Sequence, residues 1–320
     1  MLENRHKLGW VGMGRMGYPM AERLLLAGYK ISIWNRTRAK AEPLAAHGAT
    51  IVDHPADLAN ADIVFSMVST GKDLAQVYFG DNGVVSGANG RLPGIFVDCS
   101  SIGVDQSASL RERLHDAGSV FVASPVSGNG KCVKVGKLST VASGPKEAFD
   151  VVKPYLDTIA GMGSSYVGEG ELARICKIAH NVMLGVVTQN LCEITLLAQR
   201  AGVPRHAFLE FINNSVMGSI FTRYKTPALV NLDWTTTFTP ALLRKDLDLG
   251  LESGRDHGVP MPVTAATREA LQSHFGLAAL QDDPEAYLQK DFATLLETMA
   301  QMSGTHLESE NKDVPTGLES

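Results

Sequence analysis

A short glycine-rich stretch, GWVGMGRMG at residues 9–17, constrains the fold of this chain most strongly. It lies between a strand-like run and a helix-like run, and Gly12, Gly14 and Gly17 have the spacing G-x-G-x-x-G. In that setting the first two glycines let the backbone turn close to a pyrophosphate, and the third lets the helix pack on the strand. The helix N-terminus also attracts the anion. Although glycines cluster in other tight turns as well, we expect a dinucleotide to bind at Gly12, Met13, Gly14, Arg15, Met16 and Gly17.

The end of the second strand-like run indicates which dinucleotide binds. An NAD site has an Asp or Glu at this point to bind the ribose 2′-hydroxyl. This chain has Asn35, Arg36 and Thr37 instead. A guanidinium can make a two-pronged contact with a 2′-phosphate, which a carboxylate would repel. These residues therefore predict NADP(H) rather than NAD(H); the alternative is a solvated basic helix start.

Strand-like and helix-like runs alternate through the first half of the chain. The strand-like runs are continuously apolar and include KISIWNR, DIVFSMVS, GIFVDCSS and SVFVASPVS, while RAKAEPLAAHG is expected to be a helix. Apolar strands separated by helices predict βαβ units and a mostly parallel sheet that is covered on both faces. We therefore expect an α/β fold, with an N-terminal Rossmann-type doubly wound sheet over residues 1–168.

The strand pattern ends near Gly170. Residues 171–200 have the periodicity of one long helix, and shorter helices follow, the last over DPEAYLQKDFATLLETMAQM. We expect an all-helical domain at residues 169–302, joined to the sheet by the long interdomain helix, for substrate binding and oligomerisation. Residues 303–320 are polar and unpatterned, which predicts a mobile tail.

Composition excludes several classes of function. The net charge of −5 argues against nucleic acid as the main partner. No continuous apolar run approaches the roughly 18 residues of a membrane-spanning helix, and the N-terminus lacks the pattern of a secretory signal. The 4 cysteines have no CxxC spacing, so we expect reduced thiols, no zinc site and a cytoplasmic protein.

A lysine in the long helix needs an explanation. Lys177 is followed by Asn181, Gly185 and Thr188 on one face of the helix, while the neighbouring positions are apolar. The lysine is either an ordinary surface residue or faces a cleft, where partial desolvation would tune it for proton transfer. Periodicity alone favours the surface. His180 is one residue off this line, which favours a packing or surface role.

The chain resembles the β-hydroxyacid dehydrogenase family, which includes 3-hydroxyisobutyrate dehydrogenase and semialdehyde reductases. The resemblance spans roughly residues 7–300 and rests on motifs that occur in the family's order. These are GWVGMGRMG, VDCSSIGVDQS, SPVSGNGKCVKVGKL, GEGELARICKIAHN and FTPALLRKDLDLGLESGRDHGVPMP. Several motifs in order are more specific than any one, and they favour a catalytic lysine.

The resemblance implies roles for individual residues. Lys177 would exchange a proton with the substrate hydroxyl or carbonyl, and Asn181 would orient the substrate. Ser127 and Gly128 would hold the substrate carboxylate. The other implied contacts are Ser101 near the nicotinamide ribose and the substrate, Val68 and Ser69 under the cofactor, Lys245 on the cofactor, and Phe238 and Asp246 closing the site. Carbonyl reduction develops negative charge on oxygen, which an ammonium stabilises, so no metal is required.

The substrate loop departs from the family pattern. Asn129 replaces a glycine, and Cys132 and Val133 replace small residues that normally leave space beside the substrate. We therefore expect a reshaped pocket and do not assign one substrate. Lys131 either meets a second anionic group of the substrate or, like Lys134, lies on an exposed turn, and the second interpretation is favoured.

The favoured function is thus an NADP(H)-dependent reductase or dehydrogenase of small β-hydroxyacids or semialdehydes. An imine reductase shares the architecture but usually replaces the lysine. A catalytically silent NADP-binding scaffold would show a disrupted lysine or substrate loop. The family resemblance and the long helix also imply a homo-dimer or homo-tetramer.

Overall fold

The computed structural model describes residues 6–88 and 90–319, which belong to two compact units. The N-terminal unit ends at Lys177 and the C-terminal unit begins at Ile178. This division falls inside one long helix and later than the predicted boundary at residue 168. The first turn of that helix is bonded to the N-terminal sheet and its neighbours, so it belongs with them.

The N-terminal unit alternates strands with helices, as its sequence predicts. Its strands are β1 (Leu8–Val11), β2 (Ile31–Trp34), β3 (Thr50–Ile51), β4 (Ile63–Ser66), β5 (Ile95–Asp98), β6 (Val120–Ala123), β7 (Val126–Ser127), β8 (Leu138–Ala142) and β9 (Gly161–Tyr166). Its helices are α1 (Gly17–Leu26), α2 (Gly71–Phe79), α3 (Val104–Asp116), α4 (Gly130–Lys134) and α5 (Lys146–Ala160).

Six of these strands form a parallel sheet in the order β3-β2-β1-β4-β5-β6. This is the Rossmann order, and the direction of winding reverses between β1 and β4. Apolar side chains are buried on both faces of the sheet, in two core clusters. A second sheet has the order β7-β8-β9, with β7 antiparallel and β9 parallel to β8. The predicted doubly wound sheet is confirmed.

The C-terminal unit is helical in the described residues. Its helices are the larger part of α6 (Leu172–Arg200), α7 (Arg205–Asn214), α8 (Ile220–Asn231), α9 (Pro240–Asp256), α10 (Pro262–Ala278), α11 (Pro284–Leu288) and α12 (Leu295–Met302). They enclose one apolar core, which includes Leu209, Leu243, Leu271 and Leu296. The predicted helical domain is therefore confirmed as a fold class.

Two predicted helices have a different form. The run RAKAEPLAAHG forms two 3₁₀ helices, Arg38–Lys40 and Glu42–His47, and Pro43 begins a new turn because it lacks an N–H donor. The last predicted helix is interrupted between α11 and α12. There Asp291 is extended and its side chain accepts a bond from Ala293 N, which starts a 3₁₀ helix.

Residues 303–319 contain no helix or strand, but they are bonded to the C-terminal unit. The Glu310 carboxylate accepts hydrogen bonds from the backbone N–H groups of Arg205, at 2.7 Å, and His206, at 3.0 Å. Leu318 is buried. The polar composition predicts a mobile tail, whereas the structure gives this segment specific partners on α7.

Helix α6 is long and apolar enough to cross a membrane, with a mean hydropathy of 1.3 over an 18-residue window. Its sequence contains no continuous apolar run of that length, so the sequence does not predict this property. Half of the window is buried within the protein, and core helices of globular proteins share these features. The buried residues include the polar Asn181 and Thr188.

Candidate active site

The turn after β1 has the geometry that its glycines require. Gly12 has a φ of +96°, and a Cβ there would collide with the carbonyl oxygen of Met67. A Cβ on Gly17, where α1 begins, would collide with the carbonyl oxygen of Gly12. Beside Gly14 a Cβ would meet no atom within 4 Å. Such a turn leaves room for a pyrophosphate at the N-terminus of a helix, so the chain fits a dinucleotide.

The residues after β2 divide into two roles. Asn35 Oδ1 accepts a hydrogen bond from Met13 N at 2.8 Å, and Asn35 Nδ2 donates one to Thr37 O at 2.7 Å. Asn35 therefore fixes the glycine turn against the end of β2. The Arg36 side chain is 85% exposed and lies 3.4 Å from Asp73, which is a weak surface pair. Its guanidinium is thus accessible to an anion.

The segments that follow β4 and β5 are joined through a buried carboxylate. Val68 N donates to Ser100 Oγ at 2.9 Å, and Ser100 Oγ donates to Asp98 Oδ1 at 2.7 Å. Asp98 is completely buried, whereas Ser69 and Ser101 are exposed. Both segments lie at the carboxyl edge of the sheet next to the glycine turn, where doubly wound sheets bind ligands.

The partner of Asp98 is a residue that the sequence analysis missed. Arg174, in the first turn of α6, is 1% exposed, and its Nη2 donates to Asp98 Oδ2 at 2.6 Å. It also donates to Ser100 O at 2.5 Å and Ser107 Oγ at 3.1 Å. The pair bonds the beginning of α6 to the end of β5, one turn before Lys177. In the sequence, the pair shows only as an acidic residue at the end of an apolar strand and an arginine in an apolar helix.

The predicted substrate loop lies against the glycine turn. Ser127 ends β7 and is half-buried, and Gly128 has a φ of +131°, in the left-handed region that favours glycine. Asn129 Oδ1 caps α4 by accepting hydrogen bonds from the N–H groups of Lys131 and Cys132. A Cβ on Gly130 would lie 2.7 Å from the carbonyl oxygen of Arg15, so the two loops are in close contact.

The departures from the family pattern in this loop have structural explanations. Cys132 and Val133 are buried, and Val133 lies in the core of the N-terminal unit. Burial raises the pKa of the Cys132 thiol. Lys131 and Lys134 are both exposed on α4, as the favoured interpretation predicts.

Three predicted site residues meet in the C-terminal unit. Asn181 Nδ2 donates to Asp246 Oδ2 at 2.6 Å, and Asp246 Oδ1 lies 3.3 Å from Lys245 Nζ. Asn181 and Asp246 are each 5% exposed. His180 Nδ1 lies 2.9 Å from Asn181 Oδ1, so this histidine also takes part. Lys177, one turn before Asn181 on α6, is half-buried.

The rest of the predicted polar stripe on α6 is a packing face. A Cβ on Gly185 would lie 2.9 Å from Leu247 and 3.0 Å from Leu243, so glycine lets α9 approach closely. Thr188 is buried, and its hydroxyl donates to Leu184 O within the same helix. Asn181 thus bonds outside the helix, to Asp246, whereas Thr188 bonds within it.

Phe238 lies before α9 and packs edge-on against Phe292, with ring centroids 5.8 Å apart. The segment before it is held by Asp291, whose Oδ2 accepts from Thr237 N at 2.8 Å. The buried Lys225 donates to Asp291 Oδ1 at 2.5 Å. Neither Lys225 nor Asp291 was singled out from the sequence.

Lys245 is exposed on α9. It lines a cavity of about 580 Å³, together with Arg244, Asp248, Glu252 and Arg255. Over residues 6–88 and 90–319, no group of three or more His, Cys, Asp or Glu side chains is arranged to hold a metal ion.

The Rossmann strand order, the open glycine turn and the basic residue after β2 together define a dinucleotide-binding protein. Comparison with known proteins agrees. Residues 7–168 match the model for the NAD-binding domain of 6-phosphogluconate dehydrogenase. Residues 170–290 match the model for the NAD-binding domain of NADP-dependent 3-hydroxyisobutyrate dehydrogenase.

Individual relatives cover most of the chain. Glyoxylate/succinic semialdehyde reductase 2 of Arabidopsis thaliana is 28% identical over 91% of this chain and 79% of its own. An uncharacterized oxidoreductase of Bacillus subtilis is 31% identical over 84% of this chain and 92% of its own. The structure of 3-hydroxyisobutyrate dehydrogenase from Salmonella typhimurium superimposes with a TM-score of 0.77 at 23% identity, covering 91% of this chain and 99% of that one.

The chain therefore belongs to the β-hydroxyacid dehydrogenase family. It is an NAD(P)-dependent oxidoreductase that acts on CH–OH donors, as the sequence predicts at this level.

Proposed function

We propose that the protein transfers hydride between NADP(H) and a small β-hydroxyacid or semialdehyde, with Lys177 as the general acid and base. The observation that carries this proposal is the arrangement on α6, where Asn181 lies one turn after Lys177 and is bonded to Asp246. A buried amide held by a carboxylate is a prepared hydrogen-bonding group, and it follows the half-buried Lys177 by one turn in the sequence of α6. The name of the Arabidopsis relative, a reductase of glyoxylate and succinic semialdehyde, supports the substrate class.

The protein residues have separate tasks in this scheme. When bound, the nicotinamide supplies or accepts the hydride. During reduction the substrate oxygen gains negative charge, which the Lys177 ammonium stabilises before it donates the proton. Asn181 donates a hydrogen bond to a substrate oxygen. The Ser127 hydroxyl and the Gly128 N–H bind the substrate carboxylate.

The Lys177→Ala variant tests the proton transfer. NADPH oxidation is measured with a panel of small aldehydes and oxoacids, including glyoxylate and succinic semialdehyde, and one cyclic imine. We expect kcat to fall by about 10²–10⁴ on the preferred substrate, because general acid–base catalysis contributes this much. NADPH binding, followed by nucleotide fluorescence, should be retained.

The matched control is Lys146→Ala, which removes an exposed lysine that pairs with Asp150 on α5. Its turnover should equal that of the unmodified protein. Retention of turnover within about tenfold in Lys177→Ala would refute the role of Lys177. Reduction of the imine alone would favour the imine reductase, and inactivity on the whole panel would favour the silent scaffold.

The preference for NADP(H) rests on Arg36. Its side chain is exposed after β2, and no acidic residue stands among residues 34–40 to bind a 2′-hydroxyl. Arg36 and the Thr37 hydroxyl would bind the 2′-phosphate, while Asn35 holds the glycine turn. The Arg36→Ala variant should raise the KM for NADPH by about 10- to 100-fold, the size of a lost charge-assisted contact, and leave the KM for NADH unchanged.

Arg38→Ala is the control, because Arg38 is a neighbouring exposed arginine that already pairs with Asp53 and Glu42. Equal catalytic efficiency with NADPH and NADH in the unmodified protein would refute the proposed preference. If Arg36→Ala and Arg38→Ala raise the KM for NADPH equally, the preference arises from the positive charge of this region and not from a contact of Arg36.

A further inference from the structure

The side-chain amide of Asn181 is held from both sides. Its Nδ2 donates to Asp246 Oδ2 at 2.6 Å, and its Oδ1 lies 2.9 Å from His180 Nδ1. The Asp246 carboxylate also lies 3.3 Å from the Lys245 ammonium. An ionised carboxylate only accepts hydrogen bonds. The amide must therefore direct its NH₂ group toward Asp246 and its oxygen toward His180.

This orientation determines which ring nitrogen of His180 carries a proton. Asn181 Oδ1 accepts and cannot donate, so Nδ1 of His180 must be the donor in this contact. In the neutral ring the proton is then on Nδ1, and Nε2 is an acceptor. The Asp246 carboxylate thus imposes a single direction on the hydrogen bonds that run from His180 through Asn181 to Asp246.

We propose that His180 is a positioning residue that, together with Asp246, holds the Asn181 amide with its remaining N–H available to the substrate. The proposal rests on the proposed function of Asn181. Without the bond from His180, only the contact with Asp246 would hold the amide, and rotation about the Cβ–Cγ bond would be less restricted. His180 is exposed, whereas Asn181, to which it bonds, is almost completely buried. In this proposal His180 therefore acts on the substrate through Asn181.

The orientation also restricts the substrate. The fixed amide has one N–H that is not bonded to Asp246, so the substrate atom that meets this N–H must be an acceptor. A carbonyl, hydroxyl or carboxylate oxygen satisfies this requirement, whereas an ammonium or iminium N–H does not. This N–H therefore favours substrates that present an oxygen at this point over compounds that present only N–H groups there.

Two substitutions of His180 separate positioning from packing. His180→Phe retains a ring but cannot donate, whereas His180→Gln retains a donor. We expect kcat/KM for the preferred oxoacid to fall by roughly tenfold in His180→Phe, the value of one buried hydrogen bond, with most of the loss in kcat. His180→Gln should stay within about threefold. The affinity for NADPH should not change in either variant.

The control is Asn190→Ala, an exposed position on the same helix, which should behave like the unmodified protein. An equal loss in His180→Phe and His180→Gln would overturn the proposal, and so would full activity of His180→Phe.

The second measurement does not depend on activity or on the stability of a variant. In protein labelled with ¹⁵N-histidine, long-range ¹H–¹⁵N correlations above the ring's titration show which nitrogen is protonated. We expect the neutral His180 ring to carry its proton on Nδ1; a proton on Nε2 would overturn the proposal. If the protein reduces nothing on the panel but the proton is on Nδ1, the bonding chain stands and the proposed function fails.

Discussion

Within residues 6–88 and 90–319, each unit of the protein has a fully buried ion pair next to a segment that carries predicted site residues. In the N-terminal unit, Arg174 and Asp98 are 1% and 0% exposed, and Asp98 lies at the start of the segment that carries Ser101. In the C-terminal unit, Lys225 and Asp291 are 3% and 1% exposed, and Asp291 holds the segment that carries Phe238. Both pairs therefore hold a segment that carries a predicted site residue, but the groups around the two carboxylates differ.

The surroundings differ in what remains when the cation is removed. Asp291 keeps several backbone partners, since it accepts from the N–H groups of Thr237 and Ala293 and from the Thr237 hydroxyl. Asp98 accepts from the hydroxyls of Ser66 and Ser100 at 2.7 Å and has one longer backbone bond, from Ser100 N at 3.3 Å. Backbone donors are fixed in place, whereas hydroxyls rotate and donate only one proton. An uncompensated charge should thus be tolerated better at Asp291 than at Asp98.

The largest effect is expected for Arg174→Met. It leaves Asp98 buried without its cation and also removes the bond to Ser100 O, so the free energy of unfolding should fall by about 4–5 kcal/mol. Urea denaturation measures this change. Lys153→Met, which removes an exposed pair with Asp157, is the control and should change stability by less than about 1 kcal/mol. A loss at Arg174 as small as that of the control would contradict the comparison.

A smaller loss is expected for Lys225→Met, which keeps an unbranched apolar side chain but removes the ammonium and its contact with the Phe292 ring. The free energy of unfolding should fall by about 3 kcal/mol, because the backbone donors around Asp291 compensate part of its charge. The same denaturation assay compares the two variants directly. If Lys225→Met costs as much as Arg174→Met or more, the argument from backbone donors is wrong.

These pairs also show where reasoning from the sequence stops. The glycine turn, the apolar strands and the long helix have local patterns, and the structure confirms the elements that they predict. Arg174 and Asp98 are separated by 76 positions, and Lys225 and Asp291 by 66. A charged residue in an apolar helix has no local pattern that distinguishes burial in a pair from exposure to solvent.

The same limit explains the errors in the C-terminal unit. The periodicity from residue 283 to residue 302 predicts one helix, but Asp291 bonds to Lys225 and to the segment before α9, which interrupts it. The sequence predicts a packing or surface role for His180, whereas its ring contacts the amide of Asn181. Periodicity does not predict this contact, because adjacent residues on a helix do not face each other. The direction of the bond depends on Asp246 in another helix.

The C-terminal unit should be the more sensitive of the two to mild acid, because of His274. This ring is completely buried against Thr298, and burial lowers its pKa from 6.5 to about 4. A lowered pKa favours the neutral ring in the folded state. The stabilisation is therefore complete above pH 6.5 and is lost as the pH falls toward 4.

Between about pH 7.5 and about pH 5 this loss amounts to about 2 kcal/mol. Urea denaturation across that range measures it, with His274→Gln as the control, since glutamine does not titrate. The variant should show a flatter dependence on pH than the unmodified protein. Parallel curves for the two proteins would show that the loss arises elsewhere.

The smallest effect is expected in the segment after α12, for Glu310→Gln. Burial alone would raise the pKa of Glu310, but the bonds from His206 and Arg205 outweigh it and lower the pKa below 4.5. The carboxylate thus contributes stability above pH 4.5, and this contribution is lost as the pH falls through the lowered pKa. Glutamine keeps one acceptor oxygen but loses the charge at the N-terminus of α7, so we expect a loss of about 1 kcal/mol.

Thermal unfolding at neutral pH detects that loss, and limited proteolysis should release the segment faster in Glu310→Gln. Glu308→Gln is the matched control, because that side chain is 84% exposed and two residues away in the same segment. If both variants unfold at the same temperature and are cleaved at the same rate, the bonds of Glu310 do not hold this segment. Any equal fall in the unfolding temperature of the two variants would then arise from the loss of one negative charge, which is the change that they share.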